Sequence, residues 1–219
     1  MNTPIIGEPK SDTSDQAIDD QSIFEDKKHF PIFPTGLFQF EFKDPELNEI
    51  KHTVLPQLES LALEGKPNWM VQPKPEEVGG LKSLADLFTE ATVEVLGFSG
   101  VIYEKMQVTS LRVYGVNKTQ TFPAEARSNN LFAGIFIAKT NSDMRITFLD
   151  PRPQAWVIKP PVKEPNVYNS DAFSIEPKEN QVLIFPSWLQ YTMTFKEDVK
   201  ENLWVTWTAM ISSGAGAKK

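Results

Sequence analysis

Two periodicities divide this chain. Between residues 44 and 97 apolar side chains return every three or four positions, and after about residue 106 they return every second position. Ahead of the first stretch, Phe38, Phe40 and Phe42 alternate with Gln39 and Glu41, which predicts a strand half buried against a core. Asp44 is placed to cap a helix that has Pro45 at its first position. Leu47, Ile50, Val54, Leu58 and Leu61 share one face of that helix, Pro56 is expected to bend or split it, and Gly65 and Pro67 close it. Residues 68–80 read as a loop rich in Pro and Gly. A second amphipathic helix turns Leu81, Leu84, Phe88, Ala91 and Val95 inward, with Gly97 as its expected stop.

Candidate strands follow at 106–116, 131–139, 144–149, 154–158, 172–176, 181–186, 189–195 and 202–211. Asn141-Ser142-Asp143, Asp150-Pro151 and Lys178-Glu179-Asn180 supply turns between several of them. Two helices followed by many short antiparallel strands predict an α+β, mainly β fold: a jelly-roll or barrel-like sandwich with the two N-terminal helices on one side. No internal repeat is visible.

Composition narrows the function classes. In 219 residues, 40% hydrophobic, there is material for one sizeable core. Residues 1–28 carry Glu8, Asp12, Asp15, Asp19, Asp20, Glu25 and Asp26 among polar residues and read as an acidic mobile arm, either inert or ordering only against a partner. Residues 29–212 are expected to form the domain and 213–219 a flexible tail. A formal net charge of -7 argues against a phosphate backbone or an anionic membrane as the main partner. The absence of cysteine removes disulfides, thiolate zinc sites and thiol nucleophiles at once. No apolar run is long enough to span a bilayer and no secretory signal pattern opens the sequence, so a soluble protein, intracellular or virion-associated, is expected.

Three phrases carry a family resemblance. Asn129-Asn130-Leu131-Phe132-Ala133-Gly134-Ile135-Phe136, Phe148-Leu149-Asp150-Pro151-Arg152 and Phe185-Pro186-Ser187-Trp188-Leu189-Gln190-Tyr191 are similar to segments of the 2-oxoglutarate and Fe(II)-dependent oxygenases. The last of these reads Phe-Pro-Ser-Trp-Leu-x-His in that family. The opening phrase Phe33-Pro34-Thr35-Gly36-Leu37-Phe38 resembles the entry to the family's first strand. The resemblance implies a double-stranded β-helix whose two sheets enclose a pocket. In active members a His-x-His or His-x-Asp pair and a distal His hold Fe(II), and a basic residue near the C-terminal strand binds 2-oxoglutarate. Such ligands occupy one triangular face of the metal and leave the opposite positions open.

Aligned on Ala133-Gly134, this chain offers Glu125-Ala126-Arg127 at the first pair and Tyr191 at the distal histidine. Glu125 has an oxygen for a cation, whereas Arg127 carries a permanent positive charge and Tyr191 a phenol that is protonated at neutral pH. The two histidines, His29 and His52, precede the predicted barrel. The family's basic residue falls near Asn202, where this chain has no arginine; Lys196 and Lys200 are the nearest substitutes and read more simply as solvated loop lysines.

Other candidates have structural readings beside the chemical one. Trp188, Trp204 and Trp207 read as sheet-packing residues before they read as a sugar or peptide platform. Ser187 has no histidine to activate it, and Glu176 and Glu179 flank a turn without a catalytic partner. The expected function is therefore a non-catalytic, oxygenase-like scaffold that binds protein subunits of an assembly as an oligomer, for example in a bacteriophage virion, with no cofactor. The alternative is an oxygenase using Fe(II) and 2-oxoglutarate at an atypical site built on Glu125 and Tyr191.

Overall fold

A computed structural model describes residues 35–42, 44–62, 68–72, 78–116, 121–127, 129–140, 144–152, 157, 161–164, 166, 169–195 and 202–212. The elements below belong to one unit, Leu37–Lys219. The expected arm 1–28, tail 213–219 and strand 154–158 lie outside the described residues, apart from Val157.

Among the described residues, ten strands form two antiparallel sheets. β1 (Phe38–Glu41), β2 (Asn68–Val71), β3 (Lys105–Val116), β5 (Phe132–Lys139), β8 (Gln181–Pro186) and β10 (Asn202–Ser212) make a six-stranded sheet in the order β1-β8-β5-β10-β3-β2. β4 (Thr121–Glu125), β6 (Met144–Leu149), β7 (Ala172–Ile175) and β9 (Tyr191–Phe195) make a four-stranded sheet in the order β4-β9-β6-β7. This is the jelly-roll arrangement expected from the sequence, with the helices preceding most of the strands.

The larger sheet is covered on both faces, which explains why β5 and β10 read as nearly unbroken apolar runs. Its outer face presents Val113, Phe132, Phe136, Val182, Ile184, Val205 and Trp207 to the helical layer, which contributes Ile50, Val54, Leu58, Leu84, Phe88 and Val95. Its inner face presents Ile135, Ile137, Leu183, Phe185 and Trp204 to Ile146, Phe148, Tyr191, Met193 and Phe195 of the smaller sheet. Strict alternation therefore sorts neighbouring residues into two separate cores.

The helical layer begins with α1 (Asp44–Glu49), a π-helical turn (Ile50–Val54) and α2 (Leu55–Ala62). Pro56 distorts this helix as expected, through a widened turn: the Leu55 N–H donates to the Ile50 carbonyl, five residues back. Widening the turn relieves the clash between a proline ring and the carbonyl four residues before it.

Four differences from the sequence expectation go beyond a single residue at a strand end. α3 (Leu81–Phe98) runs through Gly97, and the glycine that ends it is Gly100, at φ 63°. There the Val101 N–H reaches Leu96 O (3.0 Å) and the Gly100 N–H reaches Gly97 O (3.1 Å), the paired closure that needs a left-handed residue. Residues 68–71 are not loop but β2, paired with β3 through Asn68 to Val71 opposite Val116 to Val113. The strand expected at 189–195 begins at Tyr191, because Leu189 closes a turn by donating to Pro186 O (2.9 Å). The sequence expectation omitted β4, whose Pro123 is tolerated because β4 is an edge strand.

Candidate functional site

β4 and β9 pair with an irregularity between Phe122 and Glu125: Phe122 is opposite Met193 and Glu125 is opposite Tyr191. Residues three apart on a regular strand face opposite ways. The extra residue in β4 cancels that offset and aligns Phe122 and Glu125 with Met193 and Tyr191, both members of the inter-sheet core. Thr192 Oγ1 donates to the Phe122 carbonyl beside the bulge.

Arg127 follows immediately. Its N–H donates to Ser187 O (2.8 Å), which ties the end of β4 to the turn after β8. Its side chain is nine-tenths covered and donates through Nη2 to Tyr114 Oη (2.9 Å) and to Glu125 Oε2 (3.1 Å). Arg112 Nη1 lies 3.6 Å from the other oxygen, Glu125 Oε1. One carboxylate thus faces two guanidiniums, and two phenols complete the cluster. Tyr114 is fixed by stacking on the buried Trp204 ring, with centroids 5.3 Å apart and planes 3° from parallel. Tyr191 is held between Phe148 and Phe185.

The electrostatics favour this arrangement with Arg127 charged and Tyr191 neutral. Burial alone would lower the Arg127 pKa, but Tyr114, Tyr191 and Glu125 together more than offset it, so the guanidinium is held above its ordinary value. Burial pushes the Tyr191 phenol well up, and the Glu125 carboxylate adds to that against the opposing pull of Arg127. With the Tyr191 phenol held neutral, Glu125 is the acidic side chain paired with Arg127.

The three positions singled out in the sequence therefore do come together. Tyr114 and Arg112, which the sequence reading did not single out as a site, complete the cluster. Their signal was present: Ser110, Arg112 and Tyr114 alternate with the apolar Leu111 and Val113, and it is the polar-bearing face that lies between the sheets.

The other candidates fall elsewhere. His52 is exposed on the π-helical turn, and His29, Lys196 and Lys200 lie outside the described residues. Asn202 begins β10, buried and opposite Val116. Ser187 is a structural residue whose hydroxyl donates to the Asn130 carbonyl. Glu176 accepts from Arg145 Nη2 (2.7 Å) at the surface, and Glu179 lies in the turn before β8. Trp204 and Trp207 are core residues, whereas Trp188 is half exposed.

A ferrous ion does not fit this donor set. Among the described residues no three His, Cys, Asp or Glu side chains converge on a point. In the cluster itself the only anionic oxygens, those of Glu125, are engaged by arginine, and the neighbouring phenol resists losing its proton. The space lined by Tyr114, Phe122, Pro123, Glu125, Tyr191, Met193 and Trp204 is about 20 Å³. That holds roughly one water molecule and is too small for a five-carbon dicarboxylate.

Comparison with known proteins gives a likeness of fold. No model of a protein family matches the sequence, and no curated protein sequence matches it. Solved structures do match. The non-heme alpha ketoglutarate dependent epimerase SnoN from nogalamycin biosynthesis is similar with a TM-score of 0.58 at 9% identity, covering 84% of this chain and 81% of that one. A Pseudomonas putida prolyl-4-hydroxylase is similar with a TM-score of 0.56 at 8% identity, covering 82% and 94%. HygX from Streptomyces hygroscopicus, solved with nickel and 2-oxoglutarate, has a TM-score of 0.56 at 9% identity, covering 81% and 83%. The chain thus has the double-stranded β-helix fold of these oxygenase-family proteins.

Proposed function

We propose that this protein is a non-catalytic member of the double-stranded β-helix fold that works by binding other protein subunits. The observation that carries the reading is the Arg127–Glu125 pair (3.1 Å) with its two phenols, filling the space between the sheets at the positions where the family resemblance implies metal ligands. A buried guanidinium supplies a fixed positive charge and a fork of donors, so it satisfies the surrounding oxygens without a metal.

An assembly role is supported by apolar surface at the end of the helical layer. Phe98 is 73% exposed and Ile102 is 91% exposed, and Phe98 meets the half-buried Phe38 of edge strand β1 edge-to-face (5.4 Å). Exposed apolar residues beside a strand edge that is unpaired among the described residues suit a subunit contact. Among the described residues no helix is long and apolar enough to cross a membrane.

The test has two arms. Purified protein, loaded anaerobically with Fe(II) and 2-oxoglutarate and then exposed to oxygen, is expected to retain no stoichiometric iron and to release no succinate. Light scattering is expected to show an oligomer that the double substitution Phe98→Ser with Ile102→Ser dissociates. A monomer before substitution would end the self-assembly part of the reading.

A second reading, an oxygenase with an atypical metal site, is favoured by the fold likeness to the epimerase and the hydroxylase. It requires Arg127 to leave Glu125 and the cavity to open. Iron retention with succinate release would establish it over the first.

A further inference from the structure

Outside the inter-sheet cluster, the helical layer, the end of β5 and the turn before β8 border an open surface groove of about 240 Å³ lined by Lys51, Leu55, Pro56, Glu59, Ala138, Lys139 and Glu179. Its walls carry two cations and two anions over an apolar floor of Leu55, Pro56 and Ala138. Lys139 Nζ and Glu59 Oε1 form an ion pair at 3.2 Å. Lys51 and Glu179 form no ion pair among the described residues, so the groove holds one positive and one negative charge without a partner there.

The frame around these charges is built rather than loose. Lys51 sits on the π-helical turn, a widened geometry often associated with functional sites. Glu179 precedes Asn180, which holds the left-handed conformation at φ 71° and donates its N–H to Ile137 O (2.7 Å), fastening that turn to β5. Next in sequence to Lys139 and Glu179, Thr140 Oγ1 and Asn180 Oδ1 are buried without a hydrogen-bond partner among the described residues.

We infer that this groove is a binding site for a small zwitterion with an apolar body, its carboxylate on Lys51 and its ammonium on Glu179. A molecule of one sign would satisfy one of the two charges and bring its own charge near the like-charged wall. An uncharged apolar molecule would cover the floor while removing water from both charged groups, which disfavours it. The volume suits an amino-acid-sized ligand and falls below the usual range for larger cofactors. This inference does not depend on the proposed function, because none of the seven lining residues belongs to the Arg127 cluster.

Two probes of different charge spacing, L-leucine and 6-aminohexanoate, test it by calorimetric titration of the full chain, with 4-methylpentanoate and 3-methylbutylamine as single-charge controls. At least one zwitterion is expected to bind, and at least about tenfold more tightly than either control. Lys51→Met is expected to abolish the preference over the amine, and Glu179→Gln the preference over the acid. Both residues are at least partly exposed, so the folded state is expected to survive, and thermal melting checks this. Absence of binding by both zwitterions in the millimolar range, or binding unaffected by both substitutions, would overturn the assignment. Iron binding or its absence leaves it untouched, so the two proposals fail independently.

Discussion

The Trp207 ring lies directly over Gly134 on the neighbouring strand, so closely that a Cβ added to Gly134 would stand 2.1 Å from Trp207 Cζ2. The ring has no room to retreat, because Phe88 of α3 stacks on its other side with centroids 3.9 Å apart and planes 3° from parallel. Trp207 Nε1 also lies 3.4 Å from Thr92 Oγ1, itself bonded to Phe88 O (2.7 Å). Gly134 is therefore required by close approach rather than by backbone conformation. Gly134→Ala is expected to cost about 1–3 kcal/mol or more in urea denaturation. Combined with Trp207→Leu, the loss is expected to be smaller than the sum of the two single losses, since the tryptophan that clashes is gone.

Gly97 and Gly100 separate a tolerated glycine from a required one. A Cβ on Gly97 meets nothing within 4 Å, whereas Gly100 holds φ 63°. Gly97→Ala is expected to stabilise the protein by roughly 0.5–1 kcal/mol, and Gly100→Ala to destabilise it by about 1 kcal/mol. Thermal melting of the two variants checks the opposite signs.

That pair also shows what the sequence made legible. The inward faces of both helical stretches followed from spacing, because burial on one side enforces a period near four. Which glycine ends α3 did not follow, because the choice depends on backbone conformation, and both glycines stand near the end of the apolar pattern. β5 and β10 were legible from their apolar runs, but β4 was hidden by Pro123, and β2 by its shortness between Pro- and Gly-rich flanks. In the site, Glu125, Arg127 and Tyr191 were reached through family resemblance, and the cross-strand pairing of Glu125 with Tyr191 brings them together. Tyr114 and Arg112 escaped because a polar strand face reads as solvent-facing, whereas here it lines the space between two sheets.

The Arg127 cluster predicts unequal costs for its two charged partners. Arg127 is 9% exposed at its side chain and Glu125 is 41% exposed. Arg127→Ala removes donors from Tyr114 and Glu125 and opens space in a covered site, for an expected loss of about 1–3 kcal/mol. Glu125→Gln keeps an acceptor near Arg127 and removes a carboxylate already screened by solvent, for an expected loss below about 1 kcal/mol. Equal losses in chemical denaturation would show that the pair acts as a fully desolvated unit, contrary to the exposure of Glu125.

Tyr191 gives the cluster an alkaline limit. Its phenol is pushed up from the ordinary tyrosine value, first by burial and then by Glu125. The unfolded chain therefore releases this proton at pH near 10 while the folded protein keeps it. Below that pH both states hold the proton and its contribution to stability is fully present. As pH rises past 10 the unfolded state binds fewer protons, so stability falls, by up to about 1.4 kcal/mol per pH unit for one group, until the folded phenol ionises too. Tyr191→Phe removes the titrating group while keeping the ring between Phe148 and Phe185. Its stability curve between neutrality and strong alkali is expected to lie close to the parent below pH 9 and to fall less steeply above pH 10, by about one group's slope. Parallel curves across that range would mean that Tyr191 ionises in the folded protein as readily as in the unfolded chain, and that the cluster exerts no hold on its proton.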